Sequence, residues 1–373
     1  MSTTITLYPS NWLYNAGVIG LLRSAEDIEK QDINSMLKQE GIVSIKLPFF
    51  SKLKSKYRYF SENRISSIVG NSNLYRNYLQ ANQKNFFVKF VKNLDYLEPS
   101  ECDICGNGYS LEKSKVINLL RADPAKKSET KFLNRIKIFS IVHYTGMGSS
   151  LNEFPNMFWN LIHSAKMCHL CSFLIIHHHL SLTRLSDGSE IFINTPSFHV
   201  MYYLNKFARE VFGALSYEET RKKRNILAMS VIEYATRIKA TLGVWTGMNI
   251  EVVSRRGSQI EFFSLPYEVI QILSDRCIAG LLSQIGEFSI LNRVLDQDFS
   301  RLMVMGYRLL RIGLKPYGER GDAEKKFVSQ TLRLEKNRRD PTRVAEHIFQ
   351  LCALIEEKRK RRKAYEHIGY ASK

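Results

Sequence analysis

Two Cys-x-x-Cys pairs, Cys102 with Cys105 (ECDICGNG) and Cys168 with Cys171 (KMCHLC), constrain this chain more than any other feature, and 62 residues lie between them. Each spacing wraps a tight turn that aims two thiolates at one ion, and two such turns complete the tetrahedral sulfur shell that Zn2+ prefers. The pairs therefore predict one structural zinc on Cys102, Cys105, Cys168 and Cys171, with no coordination position left open for catalysis. Gly106 and Gly108 suit the first turn, because glycine accepts the positive φ angles found where amides fold toward sulfur. Disulfides are not expected of a chain in the reducing cytoplasm. Cys277 and Cys352, the remaining two cysteines, fall on helical patterns and read as core fillers.

Cytoplasmic residence is itself a sequence expectation. No apolar stretch reaches the ~20 residues that a membrane span requires. The opening MSTTITLYPSNWLYNAG lacks the basic n-region and cleavage site of a secretory signal.

Charge narrows the partners. With 54 Lys+Arg against 36 Asp+Glu, the 373 residues carry a formal charge of +18, which favours a polyanion over a neutral partner. Residues 51–100 hold nine basic and three acidic side chains, and 301–373 hold nineteen and nine, whereas 251–300 are net acidic. Two basic regions suggest two surfaces touching one long nucleic acid. In the first, Lys52, Lys54, Lys56 and Arg58 alternate with apolar residues around Tyr57, a pattern that grips phosphates while a ring stacks on a base. Asn73, Asn82 and Gln83, beside Lys84, supply amides able to read a base edge. Arg221, Lys222, Lys223 and Arg224 precede a helix, and Arg255, Arg256 and Gln259 flank Gly257 at an expected exposed hairpin tip.

The fold class expected is α+β: a mixed α/β body over residues 1–245, interrupted by a zinc-knuckle insertion at about 98–175, then a helical bundle over 246–373 with a basic tail. Ser10 reads as the N-cap of a helix carrying Trp12, Asn15, Ala16, Ile19 and Leu22, whose Gly17 and Gly20 permit close packing. Residues 41–48 alternate as a strand ending at Pro48, and 185–194 read as a hairpin turn with its outgoing strand. Residues 124–130 and 145–150 read as loops. From about residue 266 apolar residues recur at three and four, through Ile270, Leu273, Leu282, Ile285, Leu302, Tyr307 and Leu310. The last helix starts at Asp340 as N-cap and Pro341, carries Val344, Ile348, Leu351, Cys352 and Ile355, and ends in six consecutive cations, Lys358 to Lys363.

His177, His178 and His179 follow an apolar run. On an alternating strand His177 and His179 would share a face, and with His143 and the cysteines they raise the alternative of a zinc-supported HNH-like nuclease. His169, inside the second pair, reads as an exposed loop residue. No phosphate-binding glycine loop, serine elbow or paired-carboxylate constellation is present, so no enzyme activity is expected. A stand-alone zinc-stabilised nucleic-acid-binding protein is the other alternative.

The segment NWLYNAGVIGLLR (Asn11 to Arg23), followed by the widely spaced Cys102/Cys105 and Cys168/Cys171, resembles the CXXC-CXXC family of CRISPR-associated proteins, large subunits of type I-B Cascade complexes. The resemblance implies a non-catalytic subunit that reads a short motif in duplex DNA beside the target, helps open it, and docks a helicase-nuclease or a transposition adaptor. Its implied partners are guide RNA, double-stranded target DNA, the displaced strand, and the backbone and small subunits of the complex. Guide pairing then reads the sequence, so few base contacts are needed. In related systems the helical C-terminal part is also made separately as a small subunit, and Met248 would start such a product here.

Overall fold

The computed structural model describes residues 4–29, 33–38, 40–46, 50, 84–121, 133, 138–140, 164–185, 188–212, 228–232, 250–256 and 259–371. The chain divides into two compact units: residues 1–184, 189–202 and 253–261 form the first, and 185–188, 203–252 and 262–373 the second.

In the first unit, β1 (Thr4–Leu7) pairs antiparallel with β2 (Val43–Lys46), and α1 (Trp12–Glu29) lies between them in sequence. The N-cap of α1 is Asn11 and not Ser10: its Oδ1 accepts from the Tyr14 amide at 3.1 Å, while Ser10 exchanges hydrogen bonds with the Asn15 side chain at 2.8 Å. An amide oxygen one residue closer to the first turn reaches the orphan N–H better than the Ser10 hydroxyl. α2 (Lys84–Lys92) presents buried Phe86, Phe87, Phe90 and Val91. β3 (Leu97–Ser100) and β4 (Gly108–Leu111) form a hairpin, followed by α3 (Lys113–Arg121), and β5 (Ile138–Ser140) pairs with β6 (Ser164–Lys166).

α4 (His169–Ile176) is buried over its whole length. It is followed by a 3-10 turn, then β7 (Thr183–Arg184) and β8 (Glu190–Asn194), paired antiparallel as the 185–194 hairpin reading expects. α5 (Phe198–Phe212) comes next. β9 (Glu251–Arg256) and β10 (Gln259–Ser264) complete a four-stranded sheet of order β10-β9-β8-β7.

α1 and α4 pack through glycine. A Cβ on Gly17 would stand 2.5 Å from the Leu174 carbonyl carbon, and one on Gly20 would stand 3.2 Å from Leu180 Cβ. The small residues of NWLYNAGVIGLLR are therefore a packing requirement: α1 rests against the backbone of the helix that the second cysteine pair opens and against the turn after it.

The second unit is helical from Tyr267, as the change of pattern near residue 266 predicts: α6 (Tyr267–Leu273), α7 (Arg276–Ile285), α8 (Phe288–Leu295), α9 (Phe299–Gly313), α10 (Asp322–Thr331), α11 (Glu335–Arg339) and α12 (Pro341–Ala371). Its core joins Ile278, Leu282, Ile290, Val294, Leu302, Leu309 and Ile312 to the α12 stripe Val344, Ile348, Leu351, Cys352 and Ile355. α9 and α12 approach closely because Gly306 faces Phe349 and Ile348, and Gly313 faces Thr342. Asp340 Oδ1 accepts from the Arg343 amide at 3.1 Å, the cap read from sequence. Buried Glu287 accepts from the Arg333 and Leu334 amides and from Asn337 Nδ2, all at 2.9 Å, and so holds the start of α11.

Two expected core positions face outward instead. Tyr307 is 62% exposed and Cys277 is exposed at the first turn of α7. Each lies five residues from a buried leucine, Tyr307 from Leu302 and Cys277 from Leu282, and a separation of five falls off the face that separations of three and four define. Residues 124–130, 145–150 and Met248 lie outside the described residues.

Gly17→Ala should force α1 off α4 and lower the stability of the first unit by about 1–3 kcal/mol or more. Urea unfolding of the full chain should show this, with no such loss in Gly280→Ala, whose Cβ would meet open space.

Candidate metal centre

The two cysteine pairs come together as four buried, free thiols whose sulfurs all lie within 4.8 Å of one another. Cys102 and Cys105 occupy the turn of the β3–β4 hairpin. Gly106 there has φ +71°, as expected, and its amide bonds to the Cys102 carbonyl. Gly108 serves differently: it pairs with Ser100 across the hairpin, and a Cβ there would come within 2.6 Å of the Ser100 carbonyl carbon.

The second pair opens α4. Cys168 is its N-cap, accepting from the Cys171 amide through sulfur at 3.4 Å. Helix N-termini carry partial positive charge, which favours the thiolate form of sulfurs placed there. The strands between the pairs are clipped as well. The Asp103 amide donates to the Lys166 carbonyl at 2.9 Å, the Lys166 amide donates to Asp103 Oδ2 at 2.7 Å, and the Cys168 amide donates to Cys102 Sγ at 3.3 Å.

Distances test what the cluster can hold. Cys102 and Cys171 sulfurs are 3.7 Å apart, and Cys105 and Cys168 sulfurs 4.0 Å, far beyond a disulfide bond. A tetrahedral ion with metal–sulfur bonds of about 2.3 Å requires sulfur separations of about 3.8 Å. The cluster fits one such ion.

Electrostatics point the same way. Hydrogen bonding with Cys105, Cys168 and Cys171 lowers the Cys102 thiol, whereas burial, and then hydrogen bonding with Cys102, Cys105 and Cys168, raises Cys171. Four adjacent thiolates cannot coexist without a compensating cation. Burial first, and then these sulfurs, raise the fully buried Tyr14 phenol well above its usual range.

His169 is not an exposed loop residue. It is 1% exposed at the start of α4, and its Nδ1 accepts from the Leu111 amide of β4 at 3.0 Å, a second tie between the cysteine turns. Nothing in the one-dimensional pattern signals this tie or the Asp103–Lys166 clip.

His177, His178 and His179 are not on a strand either. They follow α4 at its C-terminal end, and His177 and His178 are wholly buried. Their Nδ1 atoms donate to the Phe173 and Ile175 carbonyls at 2.7 and 2.9 Å, as a helix end with unsatisfied carbonyls demands. Burial lowers the pKa of each to about 3. His143 lies outside the described residues.

Of the candidate nucleic-acid contacts, Lys52, Lys54, Lys56, Tyr57, Arg58, Asn73, Asn82, Gln83, Arg221, Lys222, Lys223 and Arg224 also lie outside them. Lys84 opens α2 and Gln259 opens β10. Arg256 is exposed at the end of β9, but Arg255 is turned inward against expectation. Its Nε reaches Glu190 Oε2 at 2.8 Å, Nη2 pairs with the same carboxylate, and Nη1 faces His178 Nε2 at 3.3 Å. Adjacent strand residues point to opposite faces, so only one of the two arginines can face solvent.

Residues 126–183 match the model of a family described as CRISPR-associated protein (Cas_CXXC_CXXC). The matched segment contains Cys168, Cys171 and the whole of α4 and supports a CRISPR-associated CXXC-CXXC protein. No curated protein and no solved structure matches the chain. Among the described residues, no helix is long and apolar enough to cross a membrane.

Elemental analysis should find about one metal ion per chain. Cys171→Ser should lose it and unfold the first unit at lower urea, while exposed Cys277→Ser should retain it. His177 and His178, held neutral in the fold, have pKa values below those of the unfolded chain, near 6.5. The unfolded chain therefore binds more protons between about pH 6.5 and 3. Their contribution is complete above that window and lost as pH falls through it, at up to about 1.4 kcal/mol per pH unit for each. Urea midpoints of the metal-saturated chain from pH 7.5 to 4.5 should fall, and less steeply in His178→Gln.

Proposed function

We propose that this chain is the large subunit of a type I-B CRISPR Cascade complex, with Zn2+ held by Cys102, Cys105, Cys168 and Cys171. The observation that carries the reading is the coincidence of the CRISPR-associated family match with the segment that supplies half of a closed four-sulfur site. The glycine-packed α1 beneath that segment adds to it, because the N-terminal motif and the cysteine pairs are parts of one structural unit.

In this role the chain is cytoplasmic and non-catalytic. A tetrahedral site filled by four thiolates presents no open position for a substrate or a water. The buried, carbonyl-bound His177 and His178 are poor candidates for the general base that the HNH-like alternative needs. The subunit contacts guide RNA, target duplex and displaced strand, with Lys52, Lys54, Lys56 and Arg58 on phosphates and with either Asn73, Asn82 and Gln83 or, since Arg255 is paired with Glu190, Arg256 and Gln259 reading the target-adjacent motif. It docks a helicase-nuclease or a transposition adaptor beside the backbone and small subunits. The net charge of +18 suits binding dominated by phosphate contacts.

A pull-down of the tagged chain from its native cytoplasm, with bound RNA sequenced and metal weighed in the same eluate, tests this reading. Short repeat-derived RNAs with about one zinc per chain are expected. Bare protein that cleaves added DNA, or that binds one DNA sequence tightly without RNA, would overturn it in favour of the nuclease or the stand-alone binder.

A further inference from the structure

The second unit contains a cleft of about 640 Å³ that no part of the preceding reading uses. It is walled by α8, α9 and the last turns of α10, and its volume lies within the roughly 300–1,000 Å³ of small-molecule sites. Three features of its lining converge on one ligand chemistry.

The first is a stacked wall. The Arg308 guanidinium sits over the Phe327 ring, 3.8 Å from its centre. A guanidinium held on a ring is a platform on which a nucleobase stacks. The second is a buried acceptor: Asn292 Oδ1 is out of contact with solvent and has no hydrogen-bond partner among the described residues. A buried amide oxygen left unmet costs free energy, which a ligand N–H would recover once the Asn292 side chain turns toward the cleft.

The third is a pair of cations. Asp298, the N-cap of α9, holds Arg293 Nη1 at 3.0 Å and Arg301 Nη1 at 3.5 Å on the same carboxylate oxygen. Arg301 remains 74% exposed, so its other donors face solvent. Even with Asp298 counted beside Asp296, three arginines outnumber two carboxylates, so the cleft carries a small net positive charge.

Flat ring, edge donor and anionic group together describe a nucleotide, and we infer that this cleft binds one nucleotide unit. Its base stacks on Arg308 and donates to Asn292, and its phosphate lies against Arg301 and Arg293. A simple anion would engage the two arginines but neither the stack nor the amide. The same chemistry is offered by a free mononucleotide and by one unpaired nucleotide of a strand. The inference depends only on residues of the second unit, so it stands or falls separately from the CRISPR reading.

The test uses the full-length chain, titrated calorimetrically with AMP, CMP, GMP, UMP and inorganic phosphate, and by fluorescence anisotropy with a labelled ten-nucleotide unpaired DNA. Saturable binding of a mononucleotide identifies a free-nucleotide site, and binding of the oligonucleotide alone identifies a strand contact. In either case Asn292→Leu and Arg308→Ala should each weaken binding about tenfold, and Arg301→Glu should do so with a reduced salt dependence. Arg343→Glu, an exposed cation outside the cleft, should change it less than about twofold. Arg308 lies at the surface, so Arg308→Ala keeps the test decisive if Asn292→Leu lowers the melting temperature. Phosphate binding as tight as the nucleotides, binding indifferent to Asn292→Leu and Arg308→Ala, or no binding of any probe would overturn the inference.

Discussion

Four sulfurs within 4.8 Å of one another set the terms on which the first unit can exist. Thiols gathered so closely repel as thiolates and, as neutral groups, contribute little more than small apolar volume. A cation among them resolves the conflict and ties together chain segments 62 residues apart. Everything near the cluster serves that closure. The hairpin turn with Gly106 at positive φ presents one pair, the N-terminus of α4 presents the other, and the Asp103–Lys166 clip with the His169–Leu111 bond fixes their relative position.

From α4 the constraint passes to α1. Since α4 is buried on all sides, its neighbours must approach its backbone as well as its side chains. Gly17 provides that approach at Leu174, and Gly20 beside Leu180, with the Arg23 Nη1 bond to the Leu180 carbonyl at 3.1 Å, continues it along the turn beyond the helix. The histidine run ends α4 in the same spirit. Imidazole N–H groups satisfy carbonyls that a helix terminus leaves bare, in a place that water does not reach. Their burial costs them the ability to carry charge near neutrality, which removes the property that makes histidine a useful base.

The second unit is built on a different principle. No metal-ligating cluster is found there among the described residues. Its helices hold together by interlocked apolar stripes, by glycines that bring α9 onto α12, and by a buried carboxylate at Glu287 that accepts three donors at once. Such packing consumes one face of each helix. The opposite face of α9 is left with Arg301, Val304, Tyr307, Arg308 and Arg311, three cations beside two apolar side chains.

What the sequence determined by itself was whatever spacing dictates. A Cys-x-x-Cys pair must turn, so the four ligands were legible. A three-four repeat must wind, so the bundle from Tyr267 and the stripe of α12 were legible; Gly17 and Gly20 announced close packing. Tertiary structure decided what spacing leaves open: which partner satisfies a polar group and which face is covered. Asn11 caps where Ser10 was expected, and Arg255 turns in to Glu190 while Arg256 turns out. His169 is buried against Leu111, Cys277 and Tyr307 are exposed, and Asn292, Arg308 and Phe327 line one cleft from three separate helices. The physical reason is range. Backbone periodicity is set by residues three or four apart, whereas burial and hydrogen-bond satisfaction are set by chain segments that only folding brings together.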